Sequence, residues 1–328
     1  MSGAGAAVAG DSAVTATAGI TGTAGITGTG LARRRSRRGP APRLAGAGRA
    51  PWPARLGAFL AGTVWLLVVL LPIYYMVLAS LRNESQYLSG NPWLPTGGLT
   101  TSTWGAAFSG TGLWTDVRNS AELTAGTILL VTTLSLAAAY RIVRRGTRVA
   151  AVSFRLILFG LAVPIQAIVI PIYVITVKLH LYDTLYDLTL VTAAANIPVA
   201  VLLTVNYVRL IPRELFDAMS VDGAGEWTVL RRLVAPMARP VLAVVGIFAG
   251  LGAWNGFLLP LILTQSNNDT VLTLGLFKLD TVTGASSEYA VNVPVVMAGV
   301  LFSVLPLLIL YIGLRRQFVK GIGGFALR

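Results

Sequence analysis

Six runs of this 328-residue chain contain no Asp, Glu, Lys, Arg or His and are apolar throughout: 56–81, 123–140, 156–177, 188–208, 240–268 and 289–314. A helix needs about 20 such residues, at 1.5 Å each, to cross roughly 30 Å of hydrocarbon. Inside a bilayer only helices and closed barrels satisfy every backbone polar group, and runs of this length are helical. The expected fold is therefore all-α, a polytopic membrane protein of six transmembrane helices. Composition agrees, because only 12% of the residues are charged where a soluble domain carries about a quarter.

Two further uncharged runs fail the same test. Residues 12–32 are a Gly/Ala/Thr tail that repeats "TAGITG", and 85–115, with "NPWLPTGG", read as an irregular loop. The expected division is a disordered, basic tail over 1–55, a six-helix domain over 56–314 and a short tail over 315–328. Of the 26 Lys and Arg, 22 fall in the N-terminal tail, the 2–3 loop, the 4–5 loop and the C-terminal tail. The positive-inside rule then puts both termini and the 4–5 loop in the cytoplasm. It also accounts for "RRRSRR" at 33–38 as topogenic charge beside anionic membrane lipid, so no nucleic-acid partner is expected. The N-terminus does not read as a cleavable signal, because its arginines follow the tail and the next apolar run is too long.

Several chemistries are hard to build from this chain. It has no cysteine and a single histidine, His180, in the short 3–4 loop, so neither a catalytic constellation nor a metal site is expected. None of its three lysines follows a glycine, which excludes a P-loop, and no cofactor is expected. The uncharged runs contain no proton relay of the kind that ion-driven transporters retain. Gln166, Asn196 and Asn255 remain as candidates to line a path for a polar solute, alongside Asn206. Hydrogen bonding between helices, worth about 0.6 kcal/mol each, explains such residues equally well. Prolines 72, 164, 171, 198, 260, 294 and 306 predict kinked or broken helices.

The segment "ELFDAMSVDGAGEWTVLRRLVAPMARP", residues 214–240, interrupts this pattern with four carboxylates and three arginines. Pro212 suits the start of a helix, where Glu214 and Asp217 favour the positive end of the dipole. Leu215, Ala218 and Met219 form an apolar stripe at i, i+3, i+4. "DGAG" at 222–225 predicts a turn built on Gly223, since glycine alone adopts a positive φ without strain. A second short helix is expected to carry Trp227, Leu230 and Val234 on one face, with Pro236 and Pro240 closing it. A helix–turn–helix with an exposed apolar stripe suits a groove in a partner protein.

These residues resemble the cytoplasmic "EAA" loop of ABC-importer permeases. The likeness runs through Asp217-Ala218-Met219-Ser220-Val221-Asp222-Gly223-Ala224, then Leu233-Val234-Ala235-Pro236, preceded by "IPREL" at 211–215. Asp217 stands for the pattern's first Glu, Met219 for its second Ala, and "LVAP" for "IxLP". "WNGFLLPLIL" (254–263), "PIQAIVIPIYVITVKLHLYDT" (164–184) and "RRQFVKGIGGFALR" (315–328) are similar to the second permease subunit of the maltose-type carbohydrate importers. The likeness covers about residues 56–328.

The resemblance implies a type I ABC-importer permease fold and a bacterial plasma-membrane location. It implies a heterodimer with a sister permease and an extracellular solute-binding protein that delivers a sugar. It also implies a cytoplasmic ATPase dimer, into which the 211–240 loop inserts as a coupling helix. The coupling residues carried over are Glu214, Asp217, Ala218, Met219, Asp222, Gly223, Ala224 and Pro236. On this reading the chain is not itself an enzyme. A passive channel acting without an ATPase also accommodates uncharged helices, but leaves the Gly223 turn and the matching blocks unexplained.

Overall fold

A computed structural model describes residues 51–323, apart from 96, 110–111, 267 and 283–291, and gives the backbone alone for 280–282, 310–311 and 313–323. The chain divides into residues 1–60, of which 51–60 are described, and residues 61–328. The tail over 1–50 lies outside the described residues. Among the described residues there is no strand. The first apolar run forms α1 (Trp52–Ser80), which starts inside the stretch expected to be tail. From Ala61 to Tyr74 every residue of α1 is exposed.

The run 85–115, expected to be irregular, contains two short helices, α2 (Glu84–Ser89) and α3 (Ser102–Phe108). Asn83 starts α2 with a capping box. Its side chain accepts the Gln86 N–H, and the Gln86 side chain accepts the Asn83 N–H. The buried Arg82 secures the following loop by donating to the carbonyls of Asn91, at 2.8 Å, and Leu94.

The core is built on three long helices: α4 (Leu113–Arg145), α7 (Leu185–Val208) and α10 (Ala235–Trp254). Val131, Ala193, Ala200, Ala238, Val241, Val245 and Ala249 bury together between them. Lipid is as apolar as these side chains, so the helices associate through close packing, which small residues permit. A Cβ on Gly126 would stand 2.8 Å from Thr189 Cγ2, and one on Gly250 would stand 2.9 Å from Ile128 Cδ1. Either substitution would require the facing side chain to shift.

α4 and α7 extend beyond the uncharged runs that announced them. Each therefore buries a carboxylate near its first turn, Asp116 and Asp187, and the expectation of charge-free helices is corrected at these ends. Asp116 approaches α12 (Leu272–Val282) so closely that a Cβ on Gly275 would lie 1.9 Å from its Oδ2.

The run 156–177 does not form one straight span. α5 (Arg148–Phe159) continues through a 3₁₀ turn at Gly160–Ala162 and meets α6 (Ile165–Lys178) at 107°. Pro164, with φ −67° and ψ 135°, stands at the break, as a proline-imposed boundary requires. By contrast Pro72, Pro171, Pro198 and Pro306 lie inside continuous helices. The run 240–268 also differs from expectation. The helix entering it begins at Glu226, ends at Trp254, and is followed by the separate α11 (Leu258–Leu263). The last run falls on α13 (Val293–Gly323), which continues through most of the expected C-terminal tail.

Among the described residues four helices are long and apolar enough to cross a membrane, five if the bent pair counts as one span. The sixth expected crossing corresponds to the shorter apolar stretch Val293–Ile309.

At the N-terminal end of α7, Asp183 ties two loops together. Its Oδ1 accepts the N–H groups of Gln265, at 2.7 Å, and Ser266, at 2.9 Å, while its own N–H donates to the Leu263 carbonyl at 3.2 Å. Burial opposes ionisation of this carboxyl, but the Ser266 and Gln265 bonds outweigh it and hold the pKa below the usual carboxylate range. A depressed folded-state pKa contributes stability above the unfolded value that is lost as pH falls through the folded one. The tie is therefore expected to persist through mildly acidic pH and to release only below the ordinary carboxylate range. In Asp183→Ala, amide exchange at Gln265 and Ser266 should accelerate about tenfold, the worth of a hydrogen bond to a charged group. Unchanged exchange would show that the loops are held by other contacts.

Candidate functional site

α7 ends at Val208, and the chain turns through Arg209–Pro212 into α8 (Arg213–Val221), with Pro212 at the N-cap. Glu214 lies in the first turn of α8, where the helix dipole favours an anion. α8 closes on a Schellman motif. The Ala224 N–H donates to the Met219 carbonyl at 3.0 Å, and the Gly223 N–H to the Ser220 carbonyl at 3.1 Å. Gly223 occupies the left-handed position at φ +70°, the geometry that glycine supplies without strain. Met219 and Ala224, the hydrophobic pair that accompanies such a cap, both pack on the core beneath.

α8 is fixed to its own bundle on one side only. Phe216 is 6% exposed and buries with Tyr140 of α4 and with Val201, Val205 and Val208 of α7. Arg144 donates to Ser220 Oγ at 2.8 Å, and its guanidinium carbon stands 5.9 Å from the Phe216 ring centre. Arg141 pairs with Glu226, and Arg145 reaches the same carboxylate at 3.9 Å. These exposed pairs orient the loop and contribute about 1 kcal/mol or less each.

The opposite side of α8 is open. Glu214, Leu215, Asp217, Ala218 and Asp222 are exposed, and Val221 is 88% exposed. The expected stripe of Leu215, Ala218 and Met219 is thus corrected. Met219 is half-buried against the core, and Val221 takes the outward apolar position. The spacing 215, 218, 221 was available in the sequence. Distinguishing it from 215, 218, 219 required knowing where the bundle lay.

The second helix of the segment also departs from expectation. α9 (Glu226–Val229) passes through a π-turn at Leu230–Val234 directly into α10, so Pro236 and Pro240 do not close it. The Ala235 N–H reaches back five residues to the Leu230 carbonyl. This wider turn leads into Pro236, which has no N–H to give a regular helix. The π-turn also rotates the faces. Trp227 is 70% exposed while Val234 is buried and Leu230 half-buried, so the three share no exposed stripe. The segment is consequently one short helix joined by a glycine turn to the end of a 29-residue membrane helix, Glu226–Trp254.

Of the three candidate pathway residues, Asn196 borders an open cleft. This cleft of about 390 Å³ is lined by Leu123, Thr192, the 160–165 bend, Gly252, Ala253 and the stretch 256–260. Asn196 Nδ2 donates to the Thr192 carbonyl at 2.8 Å, and a Cβ on Gly252 would lie 3.4 Å from Asn196 Oδ1. Asn255 is exposed and donates to the Leu251 carbonyl at 3.0 Å, closing α10. Gln166 is exposed in the first turn of α6. Among the described residues no group of three or more His, Cys, Asp or Glu is placed to hold a metal.

Residues 131–323 match the family described as binding-protein-dependent transport system inner membrane component. An ABC transporter permease protein of Caldicellulosiruptor sp. (strain Rt8B.4) is 31% identical over 80% of this chain and 93% of its own length. The arabinooligosaccharides transport system permease protein AraQ of Halalkalibacterium halodurans is 28% identical over 78% of this chain and 90% of its own. The diacetylchitobiose uptake system permease protein NgcG of Streptomyces coelicolor is 26% identical over 79% of this chain and 84% of its own. In structure, a chain of a bacterial ABC transporter that imports the acidic polysaccharide alginate superposes with a TM-score of 0.69 at 22% identity, over 80% of this chain and 95% of that one.

Proposed function

Because the chain belongs to the family of binding-protein-dependent transport system inner membrane components, we propose that it is the sugar-conducting permease subunit of an ATP-driven importer, worked through α8. The observation that carries this is the continuity of the α8 face with a membrane helix. A partner that seats on Glu214, Leu215, Asp217, Ala218 and Val221 and then moves would act through the Gly223 turn on Glu226–Trp254. That helix reaches the 390 Å³ cleft at Gly252. A ligand bound elsewhere can shift a two-state element only through differential contacts, and the outward face of α8 offers them.

The partner is a cytoplasmic ATPase dimer, since this chain has no P-loop of its own. A sister permease completes the pathway against this bundle and packs on exposed faces such as residues 61–74 of α1. An extracellular binding protein supplies the substrate. The substrate is a mono- or oligosaccharide, in line with the arabinooligosaccharides and diacetylchitobiose named for AraQ and NgcG. The residues that line the cleft carry no charge, which favours a neutral sugar over a phosphate ester. Asn196 offers it the amide hydrogen bonds. The protein lies in a bacterial plasma membrane with both termini and α8 in the cytoplasm, following the charge asymmetry of the loops.

The test is recovery of the tagged chain from its native membranes in gentle detergent, with its partners identified by mass spectrometry. A P-loop ATPase and a second permease are expected. Recovery of this chain alone, under conditions that preserve known complexes, would favour a self-contained channel. In the same assay Asp217→Lys is expected to lose more ATPase than Arg231→Ala. Both residues are exposed, but only Asp217 belongs to α8, at its open flank. Equal recovery from the two variants would remove Asp217 from the contact.

A further inference from the structure

Where α4, α7 and α8 meet, a cavity of about 710 Å³ is bordered by four arginines: Arg144, Arg145, Arg209 and Arg213. Asp217 is the single carboxylate among the residues that border it, and the buried Ile211 and Phe216 contribute apolar walls. Four like charges around one concavity raise its potential and favour an anion there. Their existing contacts hold the guanidinium groups without neutralising them. Arg144 engages Ser220 and Phe216, and Arg209 lies 5.3 Å from the Phe154 ring centre. Arg145 reaches Glu226 only at 3.9 Å. Among the described residues neither Arg209 nor Arg213 has a carboxylate at ion-pair distance. Each guanidinium presents five N–H donors in a planar fork that matches phosphate oxygens.

The surroundings favour a lipid headgroup over a soluble anion. Gly146, also on the cavity wall, turns the chain at φ +55°, and α5 begins two residues later. α5 then exposes Val149, Val152, Leu156 and Phe159, an apolar band suited to acyl chains. In a membrane protein, basic pockets beside apolar helix faces are where anionic lipid headgroups bind. We propose that this cavity binds the phosphodiester headgroup of an anionic phospholipid, whose chains lie along α5. Arg213, Phe216 and Asp217 belong to α8, so the bound headgroup braces the coupling segment against α4. That this lipid belongs to the inner leaflet rests on the cytoplasmic placement of α8 proposed above. Binding itself does not.

The full-length chain, with its co-purifying subunits, would be reconstituted in nanodiscs of phosphatidylcholine with or without phosphatidylglycerol. Retained lipid would then be measured by native mass spectrometry after extraction into detergent. This readout is blind to leaflet and to transport, so its failure is separate from failure of the importer assignment. Phosphatidylglycerol is expected to be retained over phosphatidylcholine, and Arg209→Gln is expected to reduce that retention about fivefold, the worth of one arginine beside an anionic headgroup. Arg239→Gln removes the same charge from α10, away from the cavity, and should leave retention unchanged. Equal loss in both variants would reduce the effect to diffuse basic charge, and no loss in either would remove Arg209 from any site. Either result overturns the proposal. Displacement of the lipid by millimolar inorganic phosphate at matched ionic strength would do so too, by assigning the cavity to a soluble anion.

Discussion

Gly223→Pro is expected to leave the chain inserted in the membrane and to lower solute uptake by about two orders of magnitude. Proline fixes φ near −65° and has no N–H, whereas Gly223 adopts φ +70° and donates to the Ser220 carbonyl at 3.1 Å. Both halves of the Schellman motif are lost, at a cost of about 3 kcal/mol or more, and the path from α8 into Glu226–Trp254 changes direction. A comparison variant separates turn geometry from crowding. No heavy atom lies within 4 Å of a Cβ placed on Gly223, and asparagine tolerates the left-handed region. Gly223→Asn should therefore keep most of the uptake. Uptake is measured with the radiolabelled sugar recognised by the cognate binding protein, and insertion by the membrane fraction of the tagged chain. Normal uptake by Gly223→Pro would sink the assignment of α8 as a lever.

Phe216→Ala is expected to uncouple the protein by a different route, lowering uptake at least about tenfold while the ATPase still co-purifies. Phe216 is 6% exposed and is the α8 side chain set deepest in the bundle. Removing such a ring from a packed site costs about 3–5 kcal/mol. The outward residues Leu215, Ala218 and Val221 keep their places on the helix, so docking survives. What is lost is the seat on α4 and α7 against which a push on α8 is transmitted. Phe216→Leu, closer in volume, should cost less than about 1.5 kcal/mol and keep most of the activity. Parental uptake by Phe216→Ala, at equal abundance in the membrane, would show that coupling does not need this seat.

The sequence by itself determined that the protein is a bundle of membrane helices, because solubility in hydrocarbon depends on local composition and needs no knowledge of neighbours. It also located the α8 segment and its turn, since charge, a helix start at Pro212 and a glycine with an obligatory backbone conformation are all local signals. The start of the 107° break was legible in Pro164, although not its angle. The tertiary structure decided which way each residue faces. Helices such as α7 and α10 are apolar on every side, so periodicity carries no sign of which side meets another helix and which meets lipid. That is why Met219 and Val221 exchanged roles and why only the structure could put Asn196 on the cleft. Asp116 and Asp187 proved to be buried for a related reason: α4 and α7 outrun their uncharged cores, held by partners the sequence does not display. The π-turn that carries Pro236 through the helix belongs to the same class, since a proline signals a missing hydrogen bond and leaves the surrounding packing to choose between a break and a bulge. The convergence of Arg144, Arg145, Arg209 and Arg213 joins the ends of three helices, and only the fold could bring those ends together.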